Sequence, residues 1–249
     1  FTMMGILPDI AKNIHIDIPT ASNLIGLYAL GVVVGAPTLV VATSKYPAKQ
    51  VLLFLMFLFF VFNALFTLAP NTWSLFVARF TSGLPHGAFF GIGSVVAAKL
   101  AKPGKEAQSI SIMFTGMTIA NLIGVPLGTY IGHVFDWRIT YGFISLLGLV
   151  TCVAIYFWMP DIPADKDNKI TQQIKYFKRW DAWLMVAIIA IGTGGLFAWI
   201  SYISKLVTTV SGLPEANVSI IMVLIGGGMV VGNFLGGKLA DTISPSKAT

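Results

Sequence analysis

Residues 78–93 read ARFTSGLPHGAFFGIG, an apolar stretch holding a permanent cation, a titratable ring and a proline. A guanidinium stays charged in any protein setting and offers five N–H donors. Within an apolar run Arg79 is therefore expected to face a cavity or a partner; snorkelling to the membrane surface is the plainer alternative. An imidazole such as His86 changes charge near neutral pH; it is equally satisfied as a neutral ring bonded to an adjacent helix. At about 100° per residue, Gly83, His86 and Phe90 all fall within about 40° of Arg79. One helix face therefore carries the charge, the ring and an aromatic together. Pro85 lacks an amide donor and frees the carbonyl of Thr81, which a neighbouring helix, a side chain or water must satisfy.

Other polar groups are sparse. Asn63, Asn121 and Asn233 sit among apolar residues, and a buried amide must find partners; structural bonding and substrate contact are both open to them. Tyr28, Trp199 and Tyr202 offer flat faces with a polar edge, suited to a cavity lining or to interface anchoring. The apolar segments show no acidic pair and no His–Asp combination, so no enzyme chemistry is expected. Cys152 is the only cysteine, and His15, His86 and His133 are widely dispersed. Neither a metal site nor a cofactor is expected.

What must position these groups is a set of membrane helices. The 249 residues are 56% hydrophobic and only 10% charged, whereas a soluble surface needs roughly a quarter of the residues charged. Apolar runs long enough to cross a bilayer of about 30 Å recur, and VLLFLMFLFFVFNALFTLA (51–69) lacks the two-residue alternation of barrel strands. Eight segments are predicted, near 1–14 (a remnant), 21–43, 51–69, 73–101, 107–132, 139–159, 181–206 and 216–240. Pro126 is expected to kink the fifth. Gly83, Gly87 and Gly91, like Gly116, Gly124 and Gly128, provide small-residue packing surfaces.

The cations are one-sided. Lys45, Lys49, Lys99, Lys102, Lys105, Lys166, Lys169, Lys175, Lys178, Arg179, Lys238 and Lys247 fall on one side; Lys12, Arg138 and Lys205 fall on the other. This bias places the first group in the cytoplasm and explains the +6 net charge without nucleic acid. The partners expected are the lipid bilayer, protons and a small-molecule substrate, with the chain acting as a monomer. Residues 1–159 read as a six-helix bundle with a truncated first helix. Residues 160–180 read as a cytoplasmic linker with a short amphipathic helix, and 181–249 as the start of a second bundle. Shifting the sequence by 197 lays Gly31 on Gly228, Gly35 on Gly232 and Ser44 on Asp241. Such parallel repeats are known in transporters.

GKLADTISPSK (237–247), RFTSGLPHG (79–87), GMTIANLIGVPLG (116–128), YALGVVVGAP (28–37) and DWRITYGF (136–143) together resemble the major facilitator superfamily. The likeness is to its twelve-helix proton-coupled efflux branch, in particular the arabinose-efflux-permease-like group. The resemblance implies an all-α membrane protein: a fragment with one near-complete six-helix bundle and two helices of a second. It implies further helices after residue 249, and a longer first helix that carries an acidic residue just before Phe1. It implies proton or substrate coupling by Arg79, with His86 beside it. It gives a gating role to Asp241, pairing with a cation or a helix end, and to the loop carrying Lys45 and Lys49. It makes Gly124 and Pro126 conformational elements. The first copy of the loop motif, TSKYPAK (43–49), departs from the pattern with Ser44 where aspartate is usual and Pro47 where glycine is usual. The function expected is proton-coupled efflux of a sugar or amphiphilic drug across the cell inner membrane. A receptor or sensor that kept the fold is the alternative.

Overall fold

The computed structural model describes residues 2–163, 178–201, 203, 206–214 and 216–243. These are helical almost throughout: α1 (Thr2–Ile14), α2 (Ile18–Thr43), α3 (Ala48–Leu68), α4 (Thr72–Lys99), α5 (Glu106–Ile119), α6 (Val125–Val134), α7 (Trp137–Trp158), α8 (Trp180–Ser201) and α9 (Ala216–Thr242). Tyr202, Lys205 and the stretch 164–177, where the short linker helix is expected, lie outside the described residues. Five stretches are long and apolar enough to span a membrane by length and composition, among them Ile18–Thr43, Ala48–Leu68 and Glu106–Val134. Helix α4, 28 residues long, is not one of the five, because Arg79, Pro85, His86 and its glycines dilute its apolar character; it packs against α2 and α3.

Local chemistry sets the helix ends. Asp17 caps α2, its Oδ1 accepting from the Thr20 amide at 3.2 Å. Asn71 and Ser74 form a reciprocal capping box at α4. Asp136 caps α7 through the Arg138 amide at 2.7 Å. The Arg138 guanidinium donates to the Thr67 and Ala69 carbonyls at 2.7 and 2.9 Å, closing the C-terminus of α3, where a cation also suits the helix dipole. Helix α1 stops where His15 takes a positive φ of 58° and the Ile16 amide reaches back to the Ala11 carbonyl, a Schellman-type close.

The tightest seam joins α2 to α4. A methyl group at Gly31 would overlap the Phe80 carbonyl, one at Gly35 the Leu84 backbone, and one at Gly83 the Tyr28 carbonyl. Backbone cannot rotate aside as a side chain does, so only small residues permit this approach. A core toward one end gathers Ile6 and Ile10 of α1, Leu24 of α2, Phe66 of α3, Leu75 of α4, and Trp137 and Tyr141 of α7. Outward, large apolar side chains are exposed along nearly every helix, as with Val33, Phe57, Leu147 and Ile191. That pattern suits lipid rather than water.

The fifth segment is helical throughout Glu106–Val134, but not α-helical throughout. Ala120–Gly124 forms a π turn between α5 and α6. Pro126 cannot donate to the Leu122 carbonyl, and the wider turn lies upstream of the proline, where such bulges often mark functional segments.

Candidate functional site

Arg79 does not snorkel. It is 8% exposed, and its Cζ lies 4.1 Å from the ring centroid of Tyr28, 5.5 Å from Tyr141 and 5.7 Å from Phe66. Three helices besides its own thus supply an aromatic cage. The approach of α2 to α4 at Gly31 and Gly83 brings Tyr28 over the guanidinium. Nε is buried without a hydrogen-bond partner. Among the described residues no acidic side chain forms an ion pair with Arg79.

Next to it, the Tyr28 hydroxyl meets His86 Nδ1 at 2.8 Å, the ring tautomer deciding which group donates. His86 lies 5.0 Å from Phe90, and Phe90 stacks on Phe114 of α5 at 5.5 Å with an interplanar angle of 18°. A continuous line of polar and aromatic groups therefore runs from Arg79 through Tyr28 and His86 to α5. The same-face geometry of Arg79, His86 and Phe90 follows from helical periodicity. Tyr141 and Phe66 carry no comparable sequence signal; DWRITYGF contains Tyr141, but nothing local aims it at Arg79.

The remaining sequence-derived residues are scattered. Asn63 is 2% exposed, and its amide donates to the Phe59 carbonyl of its own helix at 2.7 Å. Asn121 and Gly124 lie in the π turn, Asn121 half-buried and Gly124 exposed, with Pro126 exposed just after it. Trp199 is 46% exposed on α8.

At the lysine-rich end, Asp241 near the close of α9 accepts from the Ala107 and Gln108 amides, both at 2.8 Å. These are the open N–H groups at the start of α5, where the helix dipole also favours an anion. One turn earlier, Gly237 lies so close to Ser111 that a side chain there would overlap it. The loop in the first half behaves differently. The Ser44 hydroxyl turns back to the Val41 carbonyl at 2.9 Å, Lys45 is exposed, and Lys49 pairs with Asp161 at 3.5 Å.

One expectation needs correction. The sequence shows no His–Asp combination, yet packing of α1 on α6 brings Asp9 Oδ2 within 2.7 Å of His133 Nδ1. The two are remote in sequence, so no local pattern reveals them. They line a cavity of about 600 Å³ with Lys12, His15, Asp136 and Trp137. The Trp137 indole nitrogen is buried without a partner. Among the described residues no cluster of three or more His, Cys, Asp or Glu is arranged to hold a metal.

With this geometry in hand, the chain matches the family model described as Major Facilitator Superfamily over residues 1–249. It is 42% identical over 98% of its length to the Escherichia coli K12 protein named "Putative transporter AraJ", covering 62% of that protein. It is 36% identical over 97% of its length to the "Inner membrane transport protein YdhP" of the same organism, covering 62% of it. Against the "Uncharacterized MFS-type transporter YtbD" of Bacillus subtilis 168 the identity is 37%, over 97% of this chain and 61% of that one. The chain thus spans about three-fifths of the length of these relatives. Among solved structures, the human organic anion transporter MFSD10 aligns with a TM-score of 0.61 at 13% identity, over 98% of this chain and 63% of that one.

Proposed function

The chain belongs to the major facilitator superfamily of membrane transporters, and from that premise we propose that the whole protein is a proton-coupled antiporter. It exports a small sugar-like or amphiphilic molecule across the bacterial cytoplasmic membrane by alternating access, acting as a monomer. The observation that carries this reading is the line Arg79–Tyr28–His86, its arginine buried and its two rings half-buried, inside a lipid-facing bundle. An intramembrane ionisable group is unfavourable by at least about 2.5–3.5 kcal/mol on insertion scales and is retained where a pathway uses it. Arg79 and His86 are assigned to coupling, with Tyr28 between them as the hydrogen-bonded ring.

Proton occupancy near His86 biases one orientation of the two bundles, since a ligand shifts conformations only by its differential affinity for them. The Asp241 clasp on α5 then acts as the gate of the lysine-rich, cytoplasmic end. It is closed in the arrangement described here and opens when the bundles rock. Trp199 and Asn121 are assigned to the lining facing the second bundle, and the π turn at Gly124 and Pro126 to flexing of α5–α6. Asn63, bonded to its own helix, is assigned to packing.

The test uses the full-length protein in proteoliposomes, with counterflow measured against a panel of small metabolites with and without a pH gradient. The expected outcome is substrate movement accelerated by the gradient, and its fall to background in Arg79→Ala. Movement indifferent to the gradient removes the antiport assignment. Ligand binding without any movement identifies a receptor instead.

A further inference from the structure

We propose that Asp9 and His133 form a proton-dependent tie that holds α1 to α6 at the end of the bundle opposite the lysines. The seam between these two helices is built on small residues. A methyl group at Gly5 would overlap the Thr129 side chain, one at Gly128 that of Thr2, and one at Gly132 that of Ile6. Gly132 also lines the cavity of about 600 Å³, to which α1 contributes Asp9 and α6 contributes His133. The pair therefore stands where close packing ends, and a polar contact rather than shape holds the helices together there.

That contact depends on one proton. Asp9 Oδ2 is buried and, among the described residues, receives no hydrogen bond unless His133 Nδ1 supplies it from 2.7 Å. An imidazolium donates from both nitrogens, whereas a neutral ring donates from one and presents a lone pair at the other. Protonated, His133 gives the oxygen a hydrogen bond and an opposite charge together. Neutral, it gives the bond alone in one tautomer and turns a lone pair on the carboxylate in the other. A buried acceptor left unsatisfied is unfavourable, so Asp9 then gains by moving into water. The two side chains are 33% and 47% exposed; protons reach the ring, and water can receive the carboxylate once the contact opens.

The surroundings leave the switch to His133. It lies in the last turn of α6, where the helix dipole favours a cation. The other charged or titratable groups at the cavity are Lys12 and His15 of α1 and Asp136 at the start of α7. Asp136 is engaged by the Arg138 amide, and the Arg138 guanidinium by the Thr67 and Ala69 carbonyls. His15 is a second imidazole, which the experiment separates. With the lysine-rich end assigned to the cytoplasm, the tie answers to pH outside the cell. It is a property of the fold and stands whether or not transport is coupled to protons.

The experiment uses the full-length protein in lipid nanodiscs, with Cys152 and any other native cysteine replaced by serine. Spin labels go on cysteines placed at Asn13 and Phe135, exposed positions on the α1 and α6 sides of the cavity. Pulsed electron resonance reads their separation at about pH 5 and about pH 8, the interval in which imidazoles change charge. A short separation is expected in acid. At the alkaline value the population of wider separation should be about threefold larger, the scale of a partly exposed ion pair. His133→Lys, a cation at both values, keeps the short separation at both. Asp9→Asn and His133→Gln lose the response to pH. A parent distribution that is the same at both values overturns the inference, as does a response that persists in His133→Gln, which would belong to His15 instead. Should His133→Gln fail to accumulate, the parent comparison and His133→Lys still decide. No substrate and no gradient are present, so this result and the antiport test fail independently.

Discussion

The cage around Arg79 and the clasp at Asp241 hold one charge each, by opposite means. Asp241 presents two oxygens, and each accepts from one backbone amide at 2.8 Å. Both oxygens are thus bonded within the chain, and bonds to a charged group are worth about 1.5–3 kcal/mol each. Arg79 presents five donors and, among the described residues, is met by π faces without a hydrogen bond. The first charge is held by directed hydrogen bonds at two helix ends, the second by the packing of rings from three other helices.

The comparison breaks most completely at the seam beneath the cage. Gly35→Val would drive a side chain into the Leu84 backbone, forcing α2 off α4 and lifting Tyr28 from Arg79. Overpacking of this kind is unfavourable by about 3 kcal/mol. The expected result is a large fall in unfolding midpoint with loss of transport, and an unchanged midpoint contradicts the close approach.

Asp241→Asn acts on the other side of the comparison. The amide keeps one acceptor, loses the charge, and brings a donor toward two amide donors. A loss of about 2 kcal/mol in the clasp, roughly thirtyfold in its equilibrium, is expected. Alkylation of a cysteine placed at Ser111, beside the α5–α9 contact, should rise accordingly while the overall midpoint moves little. Protection equal to the parent shows that the clasp does not hold the gate.

Smaller effects sharpen the contrast. Asp17 also caps a helix with its carboxylate, but within its own chain segment and fully exposed. Hydrogen bonding from Thr20, with partial loss of hydration opposing it, holds its carboxyl below the usual carboxylate range. A lowered acid stabilises the fold above its ordinary titration range, and that contribution is lost as pH falls through the depressed value. Asp17→Asn should therefore lower the midpoint slightly at neutral pH and leave it unchanged in strong acid. Lys49→Ala removes a pair whose partner Asp161 is almost fully exposed. Its effect on the midpoint should be under about 0.5 kcal/mol, and a larger one would make the first-half loop a working gate despite Ser44.

The repeat deepens the point. Ser44 and Asp241 occupy matched positions, yet one hydroxyl turns back on its own helix while the carboxylate reaches across to another. Apolar run length made the helices legible, because burial of backbone in lipid leaves few alternatives to a helix. The shared face of Arg79, His86 and Phe90 was legible as well, through periodicity alone. The position of the break in the fifth segment was not, since Pro126 announces a missing donor but not which upstream carbonyls widen to accommodate it. For Asn63 the sequence leaves structural bonding and substrate contact both open, and the bond from its amide to the Phe59 carbonyl of its own helix is a contact that an amide among apolar residues does not declare.

Residue order along one helix settles which side chains share a face, and composition settles that the bundle as a whole meets lipid. Neither says which helix lies opposite. The meeting of Tyr28, Phe66 and Tyr141 on Arg79, and of Asp9 with His133, came from interhelical packing. The glycine seam between α2 and α4 and the close fit of α1 on α6 bring together groups that are remote in the chain, and contact energies across such seams leave no periodic trace within either partner.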